Sequence, residues 1–121
     1  MGTKHKSRFL VKQRAFLKIY LIYMAEKEKL YGLQFQETIR EEFMQFGYRP
    51  NHSEIYKSLH ELIEEGILKR MKTLKQGMKF QEVIYYRIQD REKANLYKKQ
   101  LKVELDRCHN MLGKAIADIY G

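Results

Sequence analysis

The hydrophobic period of this chain changes at Gly66, and that change limits the folds open to it. Before Gly66 the apolar residues recur every three or four positions, the spacing of helices that bury one face. After it, residues 67–75 and 81–88 alternate, with Gly77 in the short stretch between them, which predicts a hairpin. From Asp90 on, Ala94, Tyr97, Leu101, Leu105, Cys108, Leu112, Ala115 and Ile119 advance by three and four again. The expected class is mainly α with a small β-hairpin. With 121 residues, the chain is long enough for one domain with a real core and too short for two independent ones.

Three helices are predicted ahead of the hairpin. Phe9, Leu10, Phe16, Leu17, Tyr20, Leu21 and Met24 mark a long first helix over Phe9–Lys29, closing in a solvated charge run from Glu26 to Lys29. Leu30, Tyr31 and Gly32 break the pattern, and Phe35, Ile39, Phe43 and Phe46 set up a second helix stopped by Gly47. Asn51 offers an N-cap, with Glu54 three residues on as in a capping box, so a third helix starts there. It runs through Ile55, Leu59, Leu62 and Ile63 and stops at Gly66. In the hairpin, Val83, Tyr85 and Arg87 alternate against Ile84, Tyr86 and Ile88, so that one face can close over the helices. Asp90 caps the last helix. This is the element order of a winged helix-turn-helix followed by a long C-terminal dimerisation helix. The organisation read from it is a basic arm over residues 1–8, a winged-helix DNA-binding domain over 9–89 and the dimerisation helix over 90–121.

Charge points to the partner. Twenty-four Lys and Arg residues against fifteen Asp and Glu give a net charge of +9, and two segments own the excess. Residues 1–14 hold five basic side chains and no acid, and residues 67–89 hold six against the single Glu82. A winged helix places its third helix in the major groove and its wing against the neighbouring backbone. Arg8 of the arm, Lys12 and Arg14 at the start of the first helix, and Arg70, Lys72, Lys75 and Lys79 of the wing would then meet phosphates, which fix register without reading sequence.

On the third helix, the sector opposite Ile55, Leu59, Leu62 and Ile63 holds Ser53, Lys57, His60, Glu61 and Glu64. The N-terminal part of a recognition helix contacts base edges, which makes Ser53 and Lys57 the first candidates, with Tyr56 flanking and His60 behind them. Glu54 either accepts from a cytosine amino group or completes the cap, and the cap explains it without DNA. Glu64 and Glu65 read as a solvated helix end.

Other classes of function find little support. The run from Phe16 to Ala25 carries Lys18, no segment nears the length of a membrane span, and no leader cleavage pattern follows it. A cytoplasmic, nucleoid-associated protein with no membrane partner is expected. Cys108 stands alone, so no internal disulfide is available. His52 and His60 lack a third ligand nearby for a metal, and no Ser-His-Asp set or phosphate loop is visible. No enzyme, no cofactor and no small-molecule ligand is expected.

The last helix is the second device. Residues 90–120 would extend roughly 46 Å, longer than a small winged domain is wide. Its stripe of Tyr97, Leu101, Leu105, Cys108, Leu112, Ala115 and Ile119 therefore calls for a partner helix, and a two-fold homodimer is the commonest solution. Cys108 falls on that seam as a small buried hydrophobe near the partner. Two recognition helices across a two-fold demand half-sites about 34–36 Å apart.

Four segments carry more than a fold: FLVKQRAF at residues 9–16, LYGL at 30–33, PNHSEIYKSLHELIEEGILK at 50–69 and LYKKQLKVELDRC at 96–108. In order and spacing they resemble the bacterial replication terminator family over nearly the whole chain, departing mainly in residues 1–7 and after His109. The resemblance implies a homodimer, joined through its C-terminal helices, that binds double-stranded terminator sites and stops a replication fork arriving from one side. It implies two dimers per site, and DNA contacts at Lys12, Arg14, Lys57 and its helix neighbours, Lys72 and Lys75. Tyr31 is matched as well and is a candidate for meeting the replicative helicase, a packed turn tyrosine being the alternative. The shorter pattern of Tyr56, Leu59, Leu62, Gly66 and Leu68 is shared with PadR-like repressors, which makes a winged-helix transcriptional repressor the rival reading.

Overall fold

The computed structural model describes residues 9–27, 34–74 and 82–121. Its elements are α1 (Gln13–Glu26), α2 (Gln34–Met44), α3 (His52–Glu64), β1 (Leu68–Leu74), β2 (Glu82–Ile88) and α4 (Arg91–Tyr120). The class is the expected one: a mainly helical winged-helix arrangement with one two-stranded antiparallel hairpin and a long C-terminal helix.

The periodic apolar residues of the first three helices converge on one core. Leu17, Leu21 and Ile22 of α1 meet Phe35 and Ile39 of α2 and Ile55, Leu59 and Leu62 of α3, all essentially inaccessible to solvent. Burying each such side chain is worth roughly 1.5–3 kcal/mol. The hairpin closes the core from one side, where Leu68 is fully buried, Ile88 packs against it and the Tyr86 ring stands edge-on to Phe35 at 5.8 Å. The register pairs Leu68 with Ile88, Arg70 with Tyr86 and Lys72 with Ile84, so these six residues share the wing face turned toward the helices.

Two helices end in the same manner. At the end of α3, Gly66 takes φ +79°, its N–H reaches the Ile63 carbonyl at 3.0 Å and the Ile67 N–H reaches Leu62 at 2.9 Å. Gly47, also at φ +79°, closes α2 with the equivalent pair, Gly47 to Met44 at 3.0 Å and Tyr48 to Phe43 at 3.2 Å. Each is a left-handed stop in which two of the terminal carbonyls are satisfied, and this conformation favours glycine.

Three expectations need correction. The first helix begins at Gln13 rather than Phe9, because Lys12 is extended, and Phe9 and Leu10 lie exposed outside it. The charge run after it does not start as a solvated end: Glu26 takes Lys98 of α4 on both oxygens at 2.9 Å and so ties α1 to α4. The capping box is half formed. Asn51 accepts from the Glu54 N–H at 2.8 Å, but the Glu54 carboxylate turns to Arg14 of α1 instead of back to the cap.

Candidate nucleic-acid interface

Helix α3 presents one open face. Ser53, Tyr56, Lys57 and His60 are all exposed, while Ile55, Leu59 and Leu62 are buried beneath them. The Tyr56 and His60 rings stand edge to face at 5.8 Å. Across a shallow depression from them lies the wing: Tyr56, Leu59, His60, Ile63, Arg70 and Tyr86 line it together. The structure thus brings three sequence candidates, Tyr56, His60 and Arg70, into one place. Lys72 is exposed one step further along the same wing face. Lys12 is exposed just ahead of α1. Arg8, Lys75, Lys79 and Tyr31 lie outside the described residues.

Arg14 is placed differently from the other cations. Its Nη2 donates to Glu54 Oε1 at 3.0 Å, its Nε to Glu54 Oε2 at 3.3 Å, and its Nη1 to Glu61. One helical turn on, the nearly buried Lys18 donates to Glu61 at 3.3 Å and to Glu65 at 2.8 Å. Lys18 also lies over the Tyr97 ring of α4, 5.3 Å from its centroid. The bond from Arg14 holds the Glu54 carboxyl below its ordinary range. At Glu61 burial pushes upward, but Lys18 and Arg14 outweigh it and hold that group low as well.

This seam corrects the reading of two acids. Glu61 does not look outward toward a partner, and Glu65 is not a free solvated end, since both are bonded to α1. The spacing sets the groups on one flank of each helix, but not which flanks face each other. Glu54, Glu61 and Glu65 fall on one flank of α3, and Arg14 and Lys18, four apart, on one flank of α1.

Helix α4 carries the second surface. Its 30 residues extend about 45 Å. Along its apolar stripe Tyr97 packs against the core, Leu105 is half-buried, and Leu101 and Cys108 are buried by this same chain. The Cys108 thiol is covered where the Phe9 carbonyl approaches it at 3.8 Å. Beyond it, Leu112, Ala115 and Ile119 are open to solvent, and Ile116 and Tyr120, which the sequence reading passed over, widen the open stripe. Both follow Leu112 at intervals of four, which is the pattern that could have found them.

Among the described residues, no group of three or more His, Cys, Asp or Glu side chains could hold a metal ion, and no helix is long and apolar enough to cross a membrane. The family profile described as "Replication terminator protein" matches residues 8–120. The chain belongs to the replication terminator protein family. Replication termination proteins from Bacillus subtilis, Bacillus spizizenii and Bacillus vallismortis are each 59% identical to it over 110 residues, covering 91% of this chain and 90% of theirs. Among solved structures, one described as a transcriptional regulator from Thermoplasma acidophilum superposes with a TM-score of 0.58. That likeness covers 88% of this chain and 93% of the other at 19% identity, and it concerns the fold alone.

Proposed function

We propose that this replication terminator family member works as a homodimer, joined through α4, that binds double-stranded terminator sites and arrests the replicative helicase from one side. The observation that carries the reading is the joint surface of α3 and the wing. Ser53, Tyr56, Lys57 and His60 are exposed along one helix face with Arg70 across the depression and Lys72 beyond it. A helix of this kind enters the major groove N-terminus first, so Ser53 and Lys57 read base edges, Tyr56 and His60 support them, and Lys12, Arg70 and Lys72 hold phosphates. Arg8, Lys75 and Lys79, assigned from the sequence, are further phosphate contacts of this reading. The open stripe of Leu112, Ala115, Ile116 and Ile119 gives the dimer its seam.

Direction-dependence requires asymmetry, because a symmetric dimer on a symmetric site treats both approaches alike. Two dimers occupying half-sites of unequal affinity supply it, and a helicase contact through Tyr31 adds to it. A passive block also needs slow release, and specific protein–DNA interfaces reach roughly 10⁻⁸ to 10⁻¹¹ M.

A chromosome-wide occupancy map in the native cell tests the reading. A few strong sites near the replication terminus, in opposed orientations, are expected. Sites scattered among promoters would replace this reading with a PadR-like repressor.

A further inference from the structure

The seam between α1 and α3 has the wrong charge for a phosphate. It holds two cations, Arg14 and Lys18, against three carboxylates, Glu54, Glu61 and Glu65. All three guanidinium nitrogens of Arg14 already donate to carboxylate oxygens of α3. Two of the five N–H groups of Arg14 remain, but a phosphate brought to them would sit beside two carboxylates that repel it. Lys12, Lys57 and Lys72, by contrast, are exposed, and among the described residues no acid is found within ion-pair distance of them.

The geometry also shows what the seam can do instead. Glu54 lies in the first turn of α3 and Glu61 two turns later, so one guanidinium grips the recognition helix at two points along its axis. A fork of fixed shape on two carboxylates constrains both the rotation of α3 and its slide along α1. Ser53 adjoins Glu54 and Lys57 lies between Glu54 and Glu61 along α3, so their reach into a groove depends on that pose.

We infer that Arg14 is a positioning residue for DNA recognition, acting through Glu54 and Glu61 on the pose of α3, and is not itself a phosphate contact. The inference rests on the DNA-binding reading above and reassigns a residue that charge and the family resemblance place on DNA.

The test uses the full chain and two labelled duplexes of equal length, one selected by the wild-type protein from a random-sequence pool and one of mixed sequence. Arg14→Lys keeps the charge and loses the fork, while the pair Glu54→Gln with Glu61→Gln adds net positive charge. Positioning predicts that both variants bind the selected duplex about tenfold or more weakly, with little change on the mixed one. It also predicts that the slope of log affinity against log salt for Arg14→Ala stays that of the wild type. Circular dichroism of each variant controls for folding, and Arg14→Lys, which keeps a cation at the seam, serves where Arg14→Ala does not fold. A slope shallower by about 0.9 in Arg14→Ala, near-wild-type selectivity in Arg14→Lys, or tighter selected binding by the glutamine pair would overturn the inference. If the wild-type chain enriches no duplex from the pool, the DNA-binding reading itself falls, and this inference falls with it.

Discussion

Lys18 Nζ, on an almost wholly buried side chain, lies 2.8 Å from Glu65 Oε2 and joins α1 to the end of α3. Burial works against its charge, yet the bond to Glu65 and the effects that accompany it hold its pKa above the ordinary 10.5. The Arg14 bond and the Lys18 bond hold Glu54 and Glu61 below their ordinary 4.5.

Depressed carboxylates stabilise the fold above their unfolded value and lose that contribution as pH falls through the lower folded value. The stability of the wild type is therefore expected to drop more steeply below about pH 4.5 than that of the Glu54→Gln, Glu61→Gln pair. At neutral pH the two should differ by about 1 kcal/mol or less, since both carboxylates are partly exposed. Urea unfolding at a series of pH values measures this, and parallel pH profiles would contradict it.

Gly47 and Gly66 share φ +79° but not their surroundings. A Cβ at Gly66 would meet only the flexible end of Lys93, at 3.2 Å, and one at Gly47 would meet nothing within 4 Å. The cost of alanine is thus conformational at both, about 1–2 kcal/mol each. Denaturant unfolding of the two variants should give similar losses, and a loss at Gly66 several times larger would mean that packing dominates there.

The α4 stripe divides into a covered part and an open part, and substitutions should follow that division. Leu112→Glu with Ile119→Glu is expected to leave the fold intact and yield a monomer in analytical ultracentrifugation. Leu101→Ala, inside the chain's own packing, should instead lower stability by about 2–5 kcal/mol. A dimer that survives the double glutamate variant would move the seam elsewhere.

Exposed cations on phosphates are counted by salt. Lys12→Ala and Lys72→Ala should each make the slope of log affinity against log salt shallower by about 0.9, uniformly across sequences. Lys57→Ala should relax sequence preference as well. Titrations on the selected and mixed duplexes separate these outcomes, and an unchanged slope for Lys72→Ala would remove the wing from the DNA track.

The fold was legible wherever burial set the period. Ile55, Leu59 and Leu62 face the core as their spacing requires, and Gly47 and Gly66 end their helices where the pattern breaks. Phe9 and Leu10 misled because apolar spacing alone cannot say whether a helix has begun, and the extended backbone at Lys12 decides it. The open face of α3 was legible too, because Ser53, Lys57 and His60 lie opposite the core set. Glu61 was not. It lies on the border between the outer face and the flank, and only the direction of α1, which no local pattern carries, turns it toward Arg14 and Lys18. The meeting of Arg70 with Tyr56 and His60 likewise depends on how the hairpin folds back, which register and packing settle together.

The most direct test is fork arrest itself. The chromosomal fragment most strongly occupied by the native protein is placed in a replicating plasmid in each orientation, and intermediates are resolved by two-dimensional gel electrophoresis with and without the protein. Protein-dependent arrest in one orientation and passage in the other is the expected result. Passage in both orientations by a chain that still occupies the fragment would contradict the proposed function.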